Sequence, residues 1–371
     1  MDKLKRYIEC YIPTETCNLR CHYCYITQQR KFNNKLASFS QTPETIRSAL
    51  SVERLGGKCL FNLCAGGETL LSEEILDVIK VLLEEGHYVM VVTNGTLTKR
   101  FDEITLFPTQ LLQRLIFKFS FHYLELKRLN LLDQFFENIE KVRACGSSFT
   151  VEITPSDELI SSIEDIKAIC LQKLGTLCHI TIARDDRTSG INVLSDYSFK
   201  EYQNIWGTFN SALFNFKTTI FYKKRKEFCY AGDWSLYVNL STGVVRQCYC
   251  GRELDNIYDD ITKPLNFNAI GYKCTLPHCY NGHAFLTLGN IPELITPTYA
   301  EMRNRVDNSG RNWLQPELYD FFNQKLAENN VQYSLNEKKI SSIKDSLYGV
   351  WKLPKKILKK SKSLMIKAKK K

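Results

Sequence analysis

Cys17-Asn18-Leu19-Arg20-Cys21-His22-Tyr23-Cys24 places three thiols in one short stretch, directly after the apolar run 6–12 that reads as a strand. Three thiolates can hold three irons of a [4Fe–4S] cube and leave the fourth iron open to a small molecule. A cube held by four cysteines is coordinatively closed and suits electron transfer or structure. A structural zinc site needs four ligands in two pairs. Cys10 and His22 are the other soft donors nearby, and neither gives that paired spacing. No N-terminal secretory signal is visible, so the thiols are read as reduced rather than as a disulfide framework.

Outward from this stretch the chain alternates strand and helix six times. Expected strands are 6–12, 59–64, 88–93, 115–121, 149–153 and 179–184. Expected helices are 43–55 with Thr42 as N-cap, 72–85, 124–144 and 163–174. Such alternation argues for a parallel sheet with right-handed crossovers, and six units suit a partial (β/α)6 barrel. The cysteine loop would leave its first strand at the C-terminal end, where active sites of such barrels gather.

The cysteine spacing, with an aromatic just before the last Cys, resembles the signature of the radical S-adenosylmethionine (SAM) enzymes. The resemblance implies that Cys17, Cys21 and Cys24 bind a [4Fe–4S] cluster with SAM on its open iron. It also implies reductive SAM cleavage to a 5′-deoxyadenosyl radical, with an external electron donor of the flavodoxin or ferredoxin type. Gly66-Gly67-Glu68 at the end of the second strand resembles the family's GGE segment, which hydrogen-bonds the SAM amino group. Thr93-Asn94-Gly95 ends the third strand in a similar pattern, with a simple turn as the equal alternative. Tyr23, Asn94 and Ser120 join Gly66, Gly67 and Glu68 as cofactor-binding candidates. His122, Glu152, Thr154 and Arg184 are further candidates for the ribose or the substrate. Alternation in a strand points only every second side chain inward.

A second cysteine group comprises Cys229, Cys248, Cys250, Cys274 and Cys279, with a hairpin turn expected at 241–243. It resembles the SPASM/twitch extension that binds an auxiliary [4Fe–4S] cluster, in the shorter twitch form. The resemblance implies Cys229, Cys248, Cys274 and Cys279 as ligands, with Cys250, His278 and His283 as substitutes. A zinc site built from the same group is the alternative. The expected organisation is a radical-SAM barrel over 1–215, the twitch-like extension over 216–295, a helical cap over 296–351 and a basic amphipathic tail over 352–371.

Hydrophobic residues make up 44% of 371, enough for a sizeable core, yet no stretch is long and apolar enough to span a bilayer. The net charge of +10 comes from the tail, which holds ten lysines and no acid. Without it 40 basic residues face 40 acidic ones. That excludes a basic groove and makes nucleic acid a poor partner. Leu353, Ile357, Leu364, Met365 and Ala368 share one helical face, so the tail reads as a helix lying on an anionic membrane surface. The expected location is the cytoplasm, with the tail at the inner face of the membrane.

The resulting expectation is an oxidative modification of a sugar, a polyol or an envelope-polysaccharide intermediate. Peptide or protein modification is the second reading, weakened because only 16 residues precede Cys17. A non-catalytic zinc or iron–sulfur scaffold with a membrane-binding tail is the third.

Overall fold

Six strands stand side by side in the order in which the chain makes them. In the computed structural model, which describes residues 2–36 and 38–344, these are β1 (Arg6–Ile12), β2 (Cys59–Ala65), β3 (Tyr88–Thr93), β4 (Leu115–Ser120), β5 (Ser148–Ile153) and β6 (His179–Ile180). Each pairs in parallel with the next, and helices connect them, as the alternation predicts. Beyond β1 the sheet continues through β7 (Ser235–Asn239), β8 (Val244–Arg246) and β9 (Glu253–Asn256). β7 runs parallel to β1, and β8 and β9 then turn back antiparallel. The sheet is open, with β6 and β9 at its edges. The expected hairpin around 241–243 exists, and it is hydrogen-bonded into the barrel sheet.

Several elements are shorter than their apolar patterns. The 43–55 helix breaks in two because Ser51 is extended and caps a second helix, its Oγ accepting from the Arg54 N–H at 3.2 Å. The 124–144 helix breaks at Asn130, which takes a left-handed φ of 55°. β6 stops at Ile180 because β5 ends opposite it, just before Pro155. The 299–330 stretch forms the helices Tyr299–Arg303, Pro316–Asn323 and Leu326–Asn329, separated by loops.

The inward face of the sheet is layered. At the N-terminal ends Tyr7, Leu60, Tyr88, Met90 and Ile116 are buried against Phe285, Tyr299, Leu318, Phe321 and Phe322. Tyr88 and Phe321 stack with centroids 3.6 Å apart. The C-terminal segment is thus a plug, packed back on the barrel as its apolar pattern predicts. Arg303 locks it: its Nη1 reaches Glu152 Oε2 on β5 at 2.7 Å, while Lys118 Nζ holds Oε1 at 2.7 Å. Two residues further along β1, β2 and β4 the same face turns polar, with Glu9, Asn62 and Lys118, and Glu152 on β5 pairs with Lys118. The plug covers the apolar layer and leaves the polar one open as a chamber.

Past β2 the main chain keeps pairing with the segment after β1. Gly66 N–H donates to Ile12 O, Gly67 N–H to Thr14 O, and Glu68 N–H to Thr16 O. A Cβ on Gly67 would sit 1.9 Å from Thr16 O, and one on Gly66 would sit 2.7 Å from Thr14 O. Both glycines therefore admit the backbone that leads into Cys17, a requirement met within the protein itself.

Among the described residues no helix is long and apolar enough to cross a membrane. The lysine-rich tail, residues 352–371, lies outside the described residues.

Phe321→Ala is expected to destabilise the fold by about 3–5 kcal/mol, the usual cost of emptying a phenylalanine site, seen as a lowered urea midpoint. Gly67→Ala should keep its circular dichroism spectrum but retain several-fold less iron and sulfide after anaerobic reconstitution, because the Cys17 loop must move away.

Candidate active site

Cys17, Cys21 and Cys24 line one cavity of about 80 Å³ with Gly66, Gly67, Glu68, Asn94, Ser120 and His122. Burial pushes the Cys17 thiol up to about 11 and raises Cys21 and Cys24 as well. Against that cost each sulfur has hydrogen-bond donors. Leu19 N–H points at Cys17 Sγ from 3.4 Å and Asn94 Nδ2 from 3.8 Å. Cys21 has the Tyr23 hydroxyl, and Cys24 has the N–H groups of Ile26 and Thr27. Donors to sulfur favour the thiolate that an iron requires, and they tune an iron–sulfur cluster. Among the described residues no three His, Cys, Asp or Glu side chains converge on a single-ion site. A cube gives each thiolate its own iron, so three sulfurs around one cavity with donors behind them fit that group.

The strand ends around the loop are cross-tied. Glu68 is buried; its carboxylate accepts from Thr93 Oγ1 at 2.7 Å, Leu70 N–H at 3.0 Å and Asn94 N–H at 2.7 Å. Burial raises its pKa despite these bonds. Asn94 Nδ2 donates to Asn18 Oδ1 at 2.7 Å, and its Oδ1 accepts from Thr96. The Thr93-Asn94-Gly95 turn therefore positions the cysteine loop. Tyr23 Oη is 2.6 Å from His122 Nδ1, and burial lowers His122 to about 4, so its imidazole is neutral. Ser120 lies on the cavity wall at the end of β4.

Beside this cavity, sharing Val92, is the chamber of about 430 Å³. Glu9, Asn62, Lys118, Arg184 and His283 supply polar groups, and five tyrosines, Tyr11, Tyr25, Tyr237, Tyr249 and Tyr280, supply rings and hydroxyls. Glu9 accepts from Asn62 Nδ2 at 2.8 Å and from Tyr7 Oη. Burial raises its pKa, opposed by these bonds. Burial would also raise Glu152, but Lys118 and Arg303 overcome it and hold that carboxyl well below its ordinary range. Glu152 is thus committed to the plug and to β4. Thr154 lies half-buried just beyond β5.

The second cysteine group also assembles. Cys250 is within hydrogen-bond reach of both Cys248 and Cys274. Cys229, half-buried and pushed up to about 12 by desolvation, and Cys279 both feel the charges of Cys250 and Cys274. Ile220, Leu286 and Ile291 pack beside Cys229 and Cys279. The four expected cysteines come together with Cys250 among them, and Cys248 joins through Cys250. His278 is buried with neither ring nitrogen partnered, and His283 Nδ1 is likewise unpartnered. Five thiols in a partly apolar pocket suit a sulfur-ligated group.

Glu9, Asn62 and Lys118 were not among the expected site residues. Their signal was a polar side chain set inside an otherwise apolar strand, in step with its inward face.

Residues 11–166 match the family model of the radical SAM superfamily. No curated protein matches the chain. Several solved structures show a partial likeness. SuiB of Streptococcus suis bound to S-adenosylmethionine is 13% identical, with 70% of this chain and 64% of that chain covered and a TM-score of 0.48. The chain thus spans just under two thirds of SuiB. anSMEcpe with bound AdoMet and the Cp18Cys peptide is 15% identical, with 70% and 79% covered and a TM-score of 0.45. BtrN in complex with AdoMet and 2-DOIA is 15% identical, with 71% and 82% covered and a TM-score of 0.32. Over residues 11–166 the chain carries a radical SAM domain, an enzyme domain whose cofactors are a [4Fe–4S] cluster and S-adenosylmethionine.

Proposed function

We propose that the protein oxidises a hydroxyl-bearing substrate, a sugar or a polyol, held in the tyrosine-lined chamber beside the Cys17–Cys24 loop. The observation that carries this reading is the chamber itself, in which polar groups alternate with the rings of five tyrosines. Rings cover the C–H faces of a sugar while hydroxyls and amides meet its hydroxyls. When bound, the cofactors supply a 5′-deoxyadenosyl radical that takes one hydrogen atom from a carbinol carbon, and an auxiliary cluster would accept the electron that leaves afterwards. The hydroxyl proton departs with that electron, so a C–OH becomes C=O. Glu9, whose burial raises its pKa and so makes its carboxylate the stronger base, is the proposed acceptor of that proton.

Cys17, Cys21 and Cys24 are the proposed ligands of the catalytic cluster. The proposed SAM contacts are Gly66, Gly67, Glu68, Tyr23, Asn94 and Ser120. Of these, Glu68 and Asn94 side chains and N–H groups already serve the loop, which leaves their carbonyls and the Ser120 hydroxyl for the cofactor. For the auxiliary cluster we propose Cys229, Cys274 and Cys279, with Cys248 or Cys250 as the fourth. The reductant would be a small external electron donor.

After anaerobic reconstitution the protein should hold about eight irons, two cubes, and form 5′-deoxyadenosine with SAM and dithionite. Cys17→Ala should abolish that product and lose about four irons. Cys274→Ala should lose about four irons and still cleave SAM. Zinc in place of iron, with no 5′-deoxyadenosine, would instead support a scaffold. The tail is proposed to hold the protein at an anionic membrane; a reporter fused to residues 345–371 should sediment with anionic vesicles and stay free of neutral ones.

A further inference from the structure

One wall of the chamber carries more positive charge than its carboxylates answer. Arg184 follows β6. Its Nη1 donates to Asn281 Oδ1 at 3.3 Å, and its guanidinium lies 4.8 Å from the Tyr280 ring centroid. Among the described residues no carboxylate forms an ion pair with it. Lys217, on the helix Ala212–Ile220, does not line the chamber but feels the charge of Arg184; it is buried and donates from Nζ to Thr181 Oγ1 at 2.6 Å. Among the described residues no ion pair reaches it either. His283 completes this wall: its Nδ1 is unpartnered among the described residues, and burial holds its pKa well below the ordinary value, so the imidazole is a neutral polar group.

The nearby acids do not balance these groups. Glu152 is spent on Lys118 and Arg303. Asp186 lines the chamber and feels Arg184 without pairing with it, and burial raises its pKa. Glu9 sits on β1, five strands along the sheet from β6, and is bonded to Asn62 and Tyr7. Lys217 is driven down to about 7 by burial and then by Arg184. Like charges gathered in a poorly hydrated wall repel, and a bound anion relieves that repulsion more strongly than it would in water.

We propose that the substrate carries an oxyanion, a carboxylate or a phosphate, and that Arg184 binds it with Lys217 and His283 beside it. Arg184 supplies the planar fork that suits such a group. This rests on the chamber being the substrate site. Arg184, Lys217, Asn281 and His283 all lie beyond residue 166, outside the radical SAM match, whereas the proposed SAM contacts lie inside it. The anion is therefore assigned to the substrate rather than to the carboxylate of SAM.

The test uses the full chain, reconstituted anaerobically with SAM bound, and follows phenylglyoxal modification of Arg184 by peptide mass spectrometry. Exposed Arg128 is the internal reference. Inorganic phosphate or malonate should slow modification of Arg184 several-fold and leave Arg128 unchanged. Protection by phosphate alone identifies a phosphate ester, and protection by malonate alone a carboxylate. Lys217→Met should raise the protecting concentration about tenfold, as expected when one charged donor is lost. If that variant does not fold, protection of the unaltered chain decides. No protection by either anion would overturn the proposal, as would complete protection by SAM alone. Equal protection in folded Lys217→Met would mean an adventitious ion only and would also overturn it. 5′-Deoxyadenosine formation, assayed in parallel, reports separately on the radical reading: its loss with anion protection intact would overturn that reading and leave the anion site standing.

Discussion

Gly66 and Gly67 press directly on the backbone of Thr14 and Thr16, and the placement of the cysteine loop depends on this contact. Three successive main-chain bonds carry the parallel ladder past the end of β1, so the approach to Cys17 is held as a strand is held. Glu68 extends the tie to β3 through Thr93 and Asn94, and Asn94 returns it to Asn18 beside Cys17. The loop is therefore anchored on two strands before any iron arrives. Such preorganisation spares the cluster part of the ordering cost that a free loop would impose.

The chamber owes its depth to the layering of the sheet. Apolar inward residues at the strand starts demand a cover, and the C-terminal helices with Phe321 and Phe322 provide it. Two residues on, Glu9, Asn62 and Lys118 cannot be covered by apolar side chains without losing partners. The plug stops there. Arg303 marks the boundary, since its guanidinium belongs to the plug while the Glu152 carboxylate it holds also pairs with Lys118 of the chamber wall.

Much of this was readable from the chain. β1, β3 and the helix Ile163–Leu174 have the bounds that their patterns give, because local periodicity and burial agree there. The Cys17–Cys24 spacing placed the cysteine loop at the end of β1, and the C-terminal apolar runs announced a packed cap. The breaks at Ser51 and Asn130 were hidden, since apolar spacing continues across both while single-residue backbone choices interrupt the helices. The pairing of β7 with β1 joins residues more than 200 positions apart and leaves no local trace. Cys248 and Cys250 sit two apart, and spacing alone cannot say which comes nearer to Cys274. The grouping around Arg184 was equally hidden: Arg184, Lys217 and His283 come from a strand end and two helices, and only the fold brings them together.

The parallel pairing of β7 with β1 has a mechanical consequence. β1 leads into the loop of Cys17, Cys21 and Cys24, while β7 turns through β8 straight to Cys248 and Cys250. The two sulfur-rich regions hang from neighbouring strands of one continuous ladder, with no hinge between them. The distance between them is therefore set by rigid scaffolding. Opening the molecule to admit a substrate must therefore be left to loops at the chamber rim, because parting the two regions would tear the sheet.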